Sequence, residues 1–274
     1  MLGVGAGHRS SGEPCRDSPI TMPSLATAIL TVRVDDAPAR RANLDAALAR
    51  LARMPAIGVL VVEQGSLPAP ASARSAFAYN PGELRTGWGL NVGALAAGAD
   101  ILVFGDPDVL PPSTLDTAVA YAARGWALVK PTRGRIVVPA PEVARVRAMG
   151  REGAMVARSI AGEPEDDVLC GGWFVIRAAT FARLGGFDER FPDGFERLAL
   201  SWRVERLRVA TLELDDEPAI RLAGAPRDDD GAARALQSSL DGLDDDALAR
   251  LAQVQAQSGG RRDKYRPSPG SAGR

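Results

Sequence analysis

Ala99-Asp100-Ile101-Leu102-Val103-Phe104-Gly105-Asp106-Pro107-Asp108-Val109-Leu110-Pro111-Pro112 is the stretch that decides how this chain is read. The apolar run Ile101 to Phe104 has the length of a buried strand and stops at two carboxylates spaced i, i+2. In an open α/β sheet the carboxyl ends of the strands are where ligands bind. Two aspartates on a short turn there make a hard oxygen site suited to Mg2+ or Mn2+, and such an ion also holds substrate phosphates. A second reading is purely local: a polar turn in which Asp106 caps a helix that follows Pro111-Pro112.

On both sides of this segment strand and helix patterns alternate. Ala26 to Arg33 reads as a first strand, and Arg40 to Met54 carries Leu44, Leu48 and Leu51 at helical spacing. Ile57 to Val62 is a fully apolar second strand that ends at Glu63-Gln64-Gly65-Ser66, and Phe77 to Asn80 is a short third. Arg85 to Ala97 predicts the helix that leads into strand 101–104. Beyond the aspartates the pattern predicts a helix near 112–123 and strands near 126–130 and 135–138, then an irregular acidic loop 162–167. Val168 to Arg177 reads as a strand, Ala178 to Leu184 as a short helix and 194–206 as an amphipathic helix. Leu236, Leu240 and Leu243, then Leu248 and Leu251, predict two helices broken at Gly242, with Asp244 capping the second. Strands that are apolar on both faces and separated by helices predict an α/β fold with a mostly parallel sheet covered on both sides.

Composition narrows the function classes. With 274 residues, 46% of them hydrophobic, the chain can fill a sizeable core. Residues 1–22 and 257–274 are rich in Gly, Ser, Arg and Pro without a period, and both are predicted to be disordered tails around a domain 23–256. Met22-Pro23 stands as an alternative start. A formal net charge of −1 gives no global basic surface for nucleic acid. Two cysteines, Cys15 and Cys170, support neither a disulfide framework nor a cysteine metal site, which fits a reducing compartment and a cytoplasmic location. The sequence has no run of 18 apolar residues, so no transmembrane segment is expected, and the first 20 residues do not read as a signal peptide. The single histidine, His8, removes a Ser-His-Asp triad, a multi-histidine zinc site and a histidine general base from the body of the fold.

Three segments together resemble a known family. They are Arg85-Thr86-Gly87-Trp88-Gly89-Leu90-Asn91-Val92-Gly93-Ala94, then Phe104-Gly105-Asp106-Pro107-Asp108, then Cys170-Gly171-Gly172-Trp173-Phe174-Val175-Ile176-Arg177 with Leu184-Gly185-Gly186-Phe187-Asp188-Glu189-Arg190-Phe191. Their order and spacing resemble nucleotide-sugar glycosyltransferases of the GT-A fold. The similarity is to the large bacterial family of inverting transferases and to the branch with β-1,4-galactosyltransferases and chondroitin-type polymerases. The resemblance covers roughly residues 26–225 and implies a GT-A domain, an α/β fold with a Rossmann-like, mixed, mainly parallel sheet flanked by helices.

What the resemblance implies can be followed residue by residue. Arg33, at the end of the first strand, takes the place of an arginine that meets the nucleotide; a guanidinium suits diphosphate because it donates two parallel hydrogen bonds. The alternative for Arg33 is an exposed charge at a strand end. Glu63 stands where the family has an aspartate reading the uracil edge, and it can accept from a ring N–H in the same way. Arg85, near a helix start that itself favours anions, can reach a phosphate. Asn91 either contacts the donor or makes a structural hydrogen bond to a neighbouring strand. Asp106 and Asp108 would hold Mn2+ or Mg2+ against the diphosphate, with Asp106 also on the donor side. Gly172 allows close approach of backbone to ligand, and Trp173 either stacks on an acceptor sugar or fills the core.

The chain also departs from the family pattern. Gly194-Phe195-Glu196-Arg197-Leu198-Ala199 stands where Gly-x-Glu-Asp-x-Asp is common, so Arg197 replaces the usual catalytic aspartate. An arginine stays protonated and cannot take a proton from an acceptor hydroxyl. Ala219-Ile220-Arg221-Leu222-Ala223-Gly224 has no counterpart to the family's late metal-binding histidine, and Pro107 removes a backbone donor between the two aspartates. Two accounts follow. In one, Glu196 is the base, water completes the metal shell, and Arg197 pairs with a carboxylate or phosphate of donor or acceptor. The enzyme then moves a sugar from a UDP-sugar to a glycan, lipid-linked or small-molecule hydroxyl, with inversion. In the other, the site is catalytically degraded and the protein is a nucleotide-sugar binding or scaffold module.

Overall fold

The computed structural model describes residues 24–33, 38–66, 75–82, 84–149, 169, 172–189, 196–214 and 217–222. The acidic loop 162–167, the two leucine-patterned helices of 236–251 and both predicted tails lie outside the described residues. The elements follow the alternation in the sequence: β1 (Ala26–Arg33), α1 (Pro38–Leu51), β2 (Ile57–Gly65), β3 (Ser75–Tyr79), α2 (Thr86–Ala97), β4 (Ile101–Phe104), β5 (Val109–Leu110) and α3 (Leu115–Ala123). Then come β6 (Leu128–Lys130), β7 (Arg135–Val138), α4 (Val143–Ala148), β8 (Phe174–Arg177), α5 (Ala178–Arg183), α6 (Glu196–Arg206), β9 (Thr211–Glu213) and β10 (Ala219–Leu222).

Among the described residues seven strands form one sheet in the order β3-β2-β1-β4-β8-β6-β9. The pairs β1–β2, β1–β4, β2–β3 and β6–β9 are parallel, and β8 runs against its neighbours β4 and β6. This is the mixed, mainly parallel sheet that the sequence predicts. A second, three-stranded sheet β5-β10-β7 stands beside it, with β10 antiparallel to β5 and parallel to β7.

Side chains alternate across the central strands and so feed two cores. Ala28 and Leu30 of β1 and Ile101 and Val103 of β4 pack with Leu44 and Leu51 of α1 and with Leu115 and Val119 of α3. Ile29 of β1 and Leu102 and Phe104 of β4 pack on the opposite face with Leu90 of α2, Phe181 of α5 and Leu200 of α6. Phe104 is the hub of that second core, with ring centroids 5.2 Å from Phe174, 4.7 Å from Phe181 and 4.9 Å from Phe187, the last edge-on. Such aromatic contacts add roughly 0.5–1.5 kcal/mol per pair beyond burial.

Some boundaries differ from the sequence reading, each for a local reason. α3 begins at Leu115, not near 112, because Pro111-Pro112 disfavours helical backbone before it and Val109–Leu110 is already committed to pairing with β10. β8 begins at Phe174; Gly172 and Trp173 precede it. β5, β9 and β10 are two to four residues long, too short to show a period.

Helix α2 lies unusually close to the sheet. A Cβ on Gly89 would overlap Thr31 Oγ1 and Gln64 Nε2, and one on Gly93 would overlap Ile29 Cγ2. Gln64, fully buried at the end of β2, joins three elements. Its Nε2 donates to Thr31 Oγ1 (2.8 Å) and to the Arg85 carbonyl (3.0 Å), while its Oε1 accepts from Asn80 Nδ2 (2.9 Å) and from the Arg85 N–H (3.1 Å). The Gly93→Ala substitution forces α2 outward or Ile29 off its rotamer and should cost about 1–3 kcal/mol. Urea unfolding reads this directly, and an unchanged midpoint would contradict the close seating of α2.

Candidate active site

The candidate site forms where β4 and β8 meet head to tail. Phe104, the last residue of β4, faces Phe174, the first of β8, so the residues before β8 rise beside those after β4. Gly172 has φ +78°, and a Cβ on it would come within 2.8 Å of Val109 Cγ2 and 3.0 Å of Asp106 Cβ. Only glycine accepts both that backbone and that approach. Asp106 folds the turn onto itself: its Oδ1 accepts from the Asp108 N–H at 2.9 Å, and its carbonyl accepts from the Val109 N–H at 2.9 Å. This side-chain turn holds the backbone although Pro107 has no N–H to offer.

A cavity of about 110 Å3 opens there. Asp106 and Gly172 form one wall, and Glu196, Arg197 and Ser201 of α6 form another. Thr31 of β1 and Thr86 of α2 also line the cavity, as do Arg40, Arg135 and Arg221. Arg197 turns toward this cleft. Its Nη2 donates to the Gly105 carbonyl at 3.0 Å, and its Nε lies 3.8 Å from Glu196 Oε1. Glu196 is only 2% exposed although it borders the cavity.

The two aspartates of the motif are not equivalent. Asp106 borders the cavity, whereas Asp108 accepts from Asn43 Nδ2 of α1 at 2.9 Å and lies 3.7 Å from Arg40 Nε. Burial is the largest influence on Asp108 and raises its pKa above the ordinary 3.8; the charge of Asp106 adds to this, while Asn43, Arg40 and Arg221 oppose it. Among the described residues no group of three His, Cys, Asp or Glu side chains stands close enough to hold a metal by itself.

The other residues predicted from sequence separate into three groups. Gly172 and Arg197 reach the cavity with Asp106 and Glu196. Arg33 and Glu63 stand at adjacent strand ends outside the cavity lining, with Glu63 in register opposite Val32. Arg85 is also outside the lining, just before α2, and its Nη1 donates to the Glu189 carbonyl at 3.5 Å. Two residues carried two readings each, and their surroundings favour the structural one. Trp173 offers no stacking plane for a sugar: it is 1% exposed, its Nε1 donates to the Val109 carbonyl at 2.8 Å, and its ring lies where a Cβ on Gly105 would stand. The Asn91 amide is committed to the 187–189 turn, which is the structural reading of this residue. Its Nδ2 donates to the Phe187 carbonyl (2.9 Å) and to Glu189 Oε1 (3.0 Å), and its Oδ1 accepts from the Phe187 N–H (2.9 Å).

Arg40, Arg135 and Arg221 border the cavity without having been foreseen. Arg221 lies in the stretch that lacks the late histidine, and Arg135 directly precedes the apolar run Ile136-Val137-Val138, a charged residue at a strand start.

No family model matches the sequence, and no curated protein does. Solved structures do share the fold. A mycobacterial protein is 18% identical, with 82% of this chain and 77% of that one covered and a TM-score of 0.52. Glucosyl-3-phosphoglycerate synthase from Mycobacterium tuberculosis, in complex with Mn2+, UDP and phosphoglyceric acid, is 17% identical, with 81% and 80% covered and a TM-score of 0.50. The chain has the GT-A fold, as its mixed, mainly parallel sheet with helices on both faces already indicates.

Two predictions follow from these placements. Asn91→Ala leaves the buried Phe187 N–H without its acceptor and should cost about 1–3 kcal/mol in unfolding free energy, ligand or no ligand. Loss of ligand binding at unchanged stability would return Asn91 to the donor. For Asp108 the sign is set by its raised pKa: the folded chain holds this proton more tightly than the unfolded chain does. Its contribution to stability is therefore fullest below the unfolded value near 3.8 and falls as pH rises through the folded value. In metal-free buffer, Asp108→Asn should gain stability relative to the parent chain as pH rises from below 3.8 through the raised folded value. Denaturant titrations across that range check this, and a constant difference would contradict it.

Proposed function

We propose that this chain is a nucleotide-sugar-dependent glycosyltransferase, moving a sugar from a UDP-sugar donor to a hydroxyl acceptor with inversion at the anomeric carbon. The observation that carries this reading is the meeting of Asp106 and Glu196 in one cavity at the carboxyl end of β4. The fold agrees with it, since the M. tuberculosis synthase of the same fold binds Mn2+ and UDP. A cavity of about 110 Å3 is smaller than the several hundred Å3 of a complete small-molecule site, so it suits the reacting centre and not the whole donor.

The residues present fit a divalent ion. Mg2+ takes one or two carboxylates and fills the rest of its shell with water and substrate phosphates, and Asp106, with Asp108 behind it, meets that demand. When bound, Mg2+ or Mn2+ supplies charge stabilisation for the departing diphosphate. Arg33 and Glu63, at adjacent strand ends, suit the nucleotide end of the donor, and Arg85 at the start of α2 suits a phosphate. Glu196 takes the proton of the acceptor hydroxyl as that oxygen bonds to the anomeric carbon. The bond from that carbon to the donor phosphate breaks, and the nucleotide diphosphate leaves with the electron pair. The sugar passes through an oxocarbenium-like state, by analogy with glycoside hydrolysis. Trp173 and Asn91 contribute from behind, the first by fixing Val109 and the second by fixing the 187–189 turn.

A second reading, a nucleotide-sugar binding module without turnover, is favoured by one observation: the buried carboxylate of Glu196 has the Arg197 guanidinium 3.8 Å away. Two measurements separate the readings. UDP with Mn2+ should raise the thermal midpoint, by the equivalent of about 2.7 kcal/mol at 100 times the dissociation constant, and Asp106→Ala should lose the metal-dependent part. UDP release from UDP-sugars, with cell extract as acceptor source, should fall by roughly 10²–10⁴ in Glu196→Gln. An unchanged midpoint overturns donor binding. Binding with equal background release from both proteins favours the module.

A further inference from the structure

Arg197 is the residue for which a proton-transfer scheme has no use. Its Nη2 is spent on the Gly105 carbonyl, which ties the guanidinium to the end of β4, one residue from Asp106. Arg197 lines the cavity, and its Nη1 is buried with no hydrogen-bond partner among the described residues. A guanidinium cannot shed its proton to relieve that burial. A buried donor of this kind costs free energy unless an acceptor meets it. Among the described residues that line the cavity are four arginines, Arg40, Arg135, Arg197 and Arg221, and two acidic residues, Asp106 and Glu196. Arg135 and Arg221 come from one small sheet: Arg135 is in register with Ala219, and Arg221 lies two residues further along β10, on the same face.

We propose that this corner is an anion subsite for the acceptor, which carries a phosphate or carboxylate group beside its reacting hydroxyl. The inference rests on the transferase reading and names its second substrate class. The donor diphosphate belongs to Asp106 and its divalent ion, on the β4 side of the cavity. Arg197 sits beside Glu196, so an oxyanion bound to it places a neighbouring hydroxyl next to the base. The planar fork of a guanidinium holds a phosphate or carboxylate with two parallel bonds, which fixes orientation as well as charge. The replacement of a catalytic aspartate by arginine then changes what the acceptor must be, and Glu196 remains as the base.

The test is calorimetric titration of the full chain with inorganic phosphate, in the presence and absence of UDP and Mg2+, against sodium chloride at matched ionic strength. Phosphate should bind with UDP and Mg2+ already in place. Arg197→Met, which keeps the length of the side chain, should weaken that binding roughly tenfold or more. Arg135→Met gives a second reading that does not disturb the bond to the Gly105 carbonyl, and it should weaken phosphate in the same direction. Competition between phosphate and UDP would assign the arginines to the donor and overturn the proposal. So would UDP binding with no phosphate binding, or phosphate binding unaffected by both variants, an adventitious ion only. Phosphate binding without any UDP binding would leave an anion site but overturn the nucleotide-sugar reading on which the acceptor assignment rests.

Discussion

The candidate site depends on one reversal of direction. β8 enters the sheet against β4, while β4 runs with β1. A parallel strand at that place would bring its own carboxyl end to the same edge and carry the chain away from the cleft. The antiparallel one brings its amino end there, and with it the glycine and tryptophan that precede Phe174. Gly172 can then touch Asp106, and Trp173 can slide under Gly105 and bond to Val109. The turn carrying the aspartates is thus supported from below by an indole and from the side by a bare backbone. Neither support is available from the strand that bears the turn.

The same edge shows how polar groups divide between holding and presenting. Asp108 and Asn91 are both polar and buried, and both are held by neighbours. Asp106 uses one oxygen to close its own turn and still borders the cavity. The aspartate that is turned into α1 thereby steadies the one that is presented. The Coulomb repulsion between them is relieved on the Asp108 side, where Arg40 and Arg221 stand.

Much of this was legible in the sequence. The strands β1 and β4 end where the apolar runs end, and a run that is apolar at every position announced burial on both faces. Asp106, Glu196 and Arg197 were placed together through the order of motifs, and the fold joins them. What the sequence withheld has two physical causes. Trp173 and Asn91 have side chains that serve either a ligand or a backbone group, and only the neighbours decide which. Arg135 and Arg221 sit on strands of four residues whose pairing is long-range, 84 residues apart between Ala219 and Arg135, and no local period records such a meeting.

Gln64 carries a consequence of its own. Its amide nitrogen faces two oxygens, and its amide oxygen faces two N–H groups, so the side chain fits in one sense only. A half-turn of the amide, or a carboxylate in its place, would set lone pairs against lone pairs at the Thr31 hydroxyl and the Arg85 carbonyl. The three strands it spans and the first turn of α2 therefore share a single polarity-keyed joint. Any breathing of the cleft that lifts the start of α2 must carry Asn80 and the edge of β3 along with it, or break the joint outright. The cleft is hinged, on this flank, as one plate.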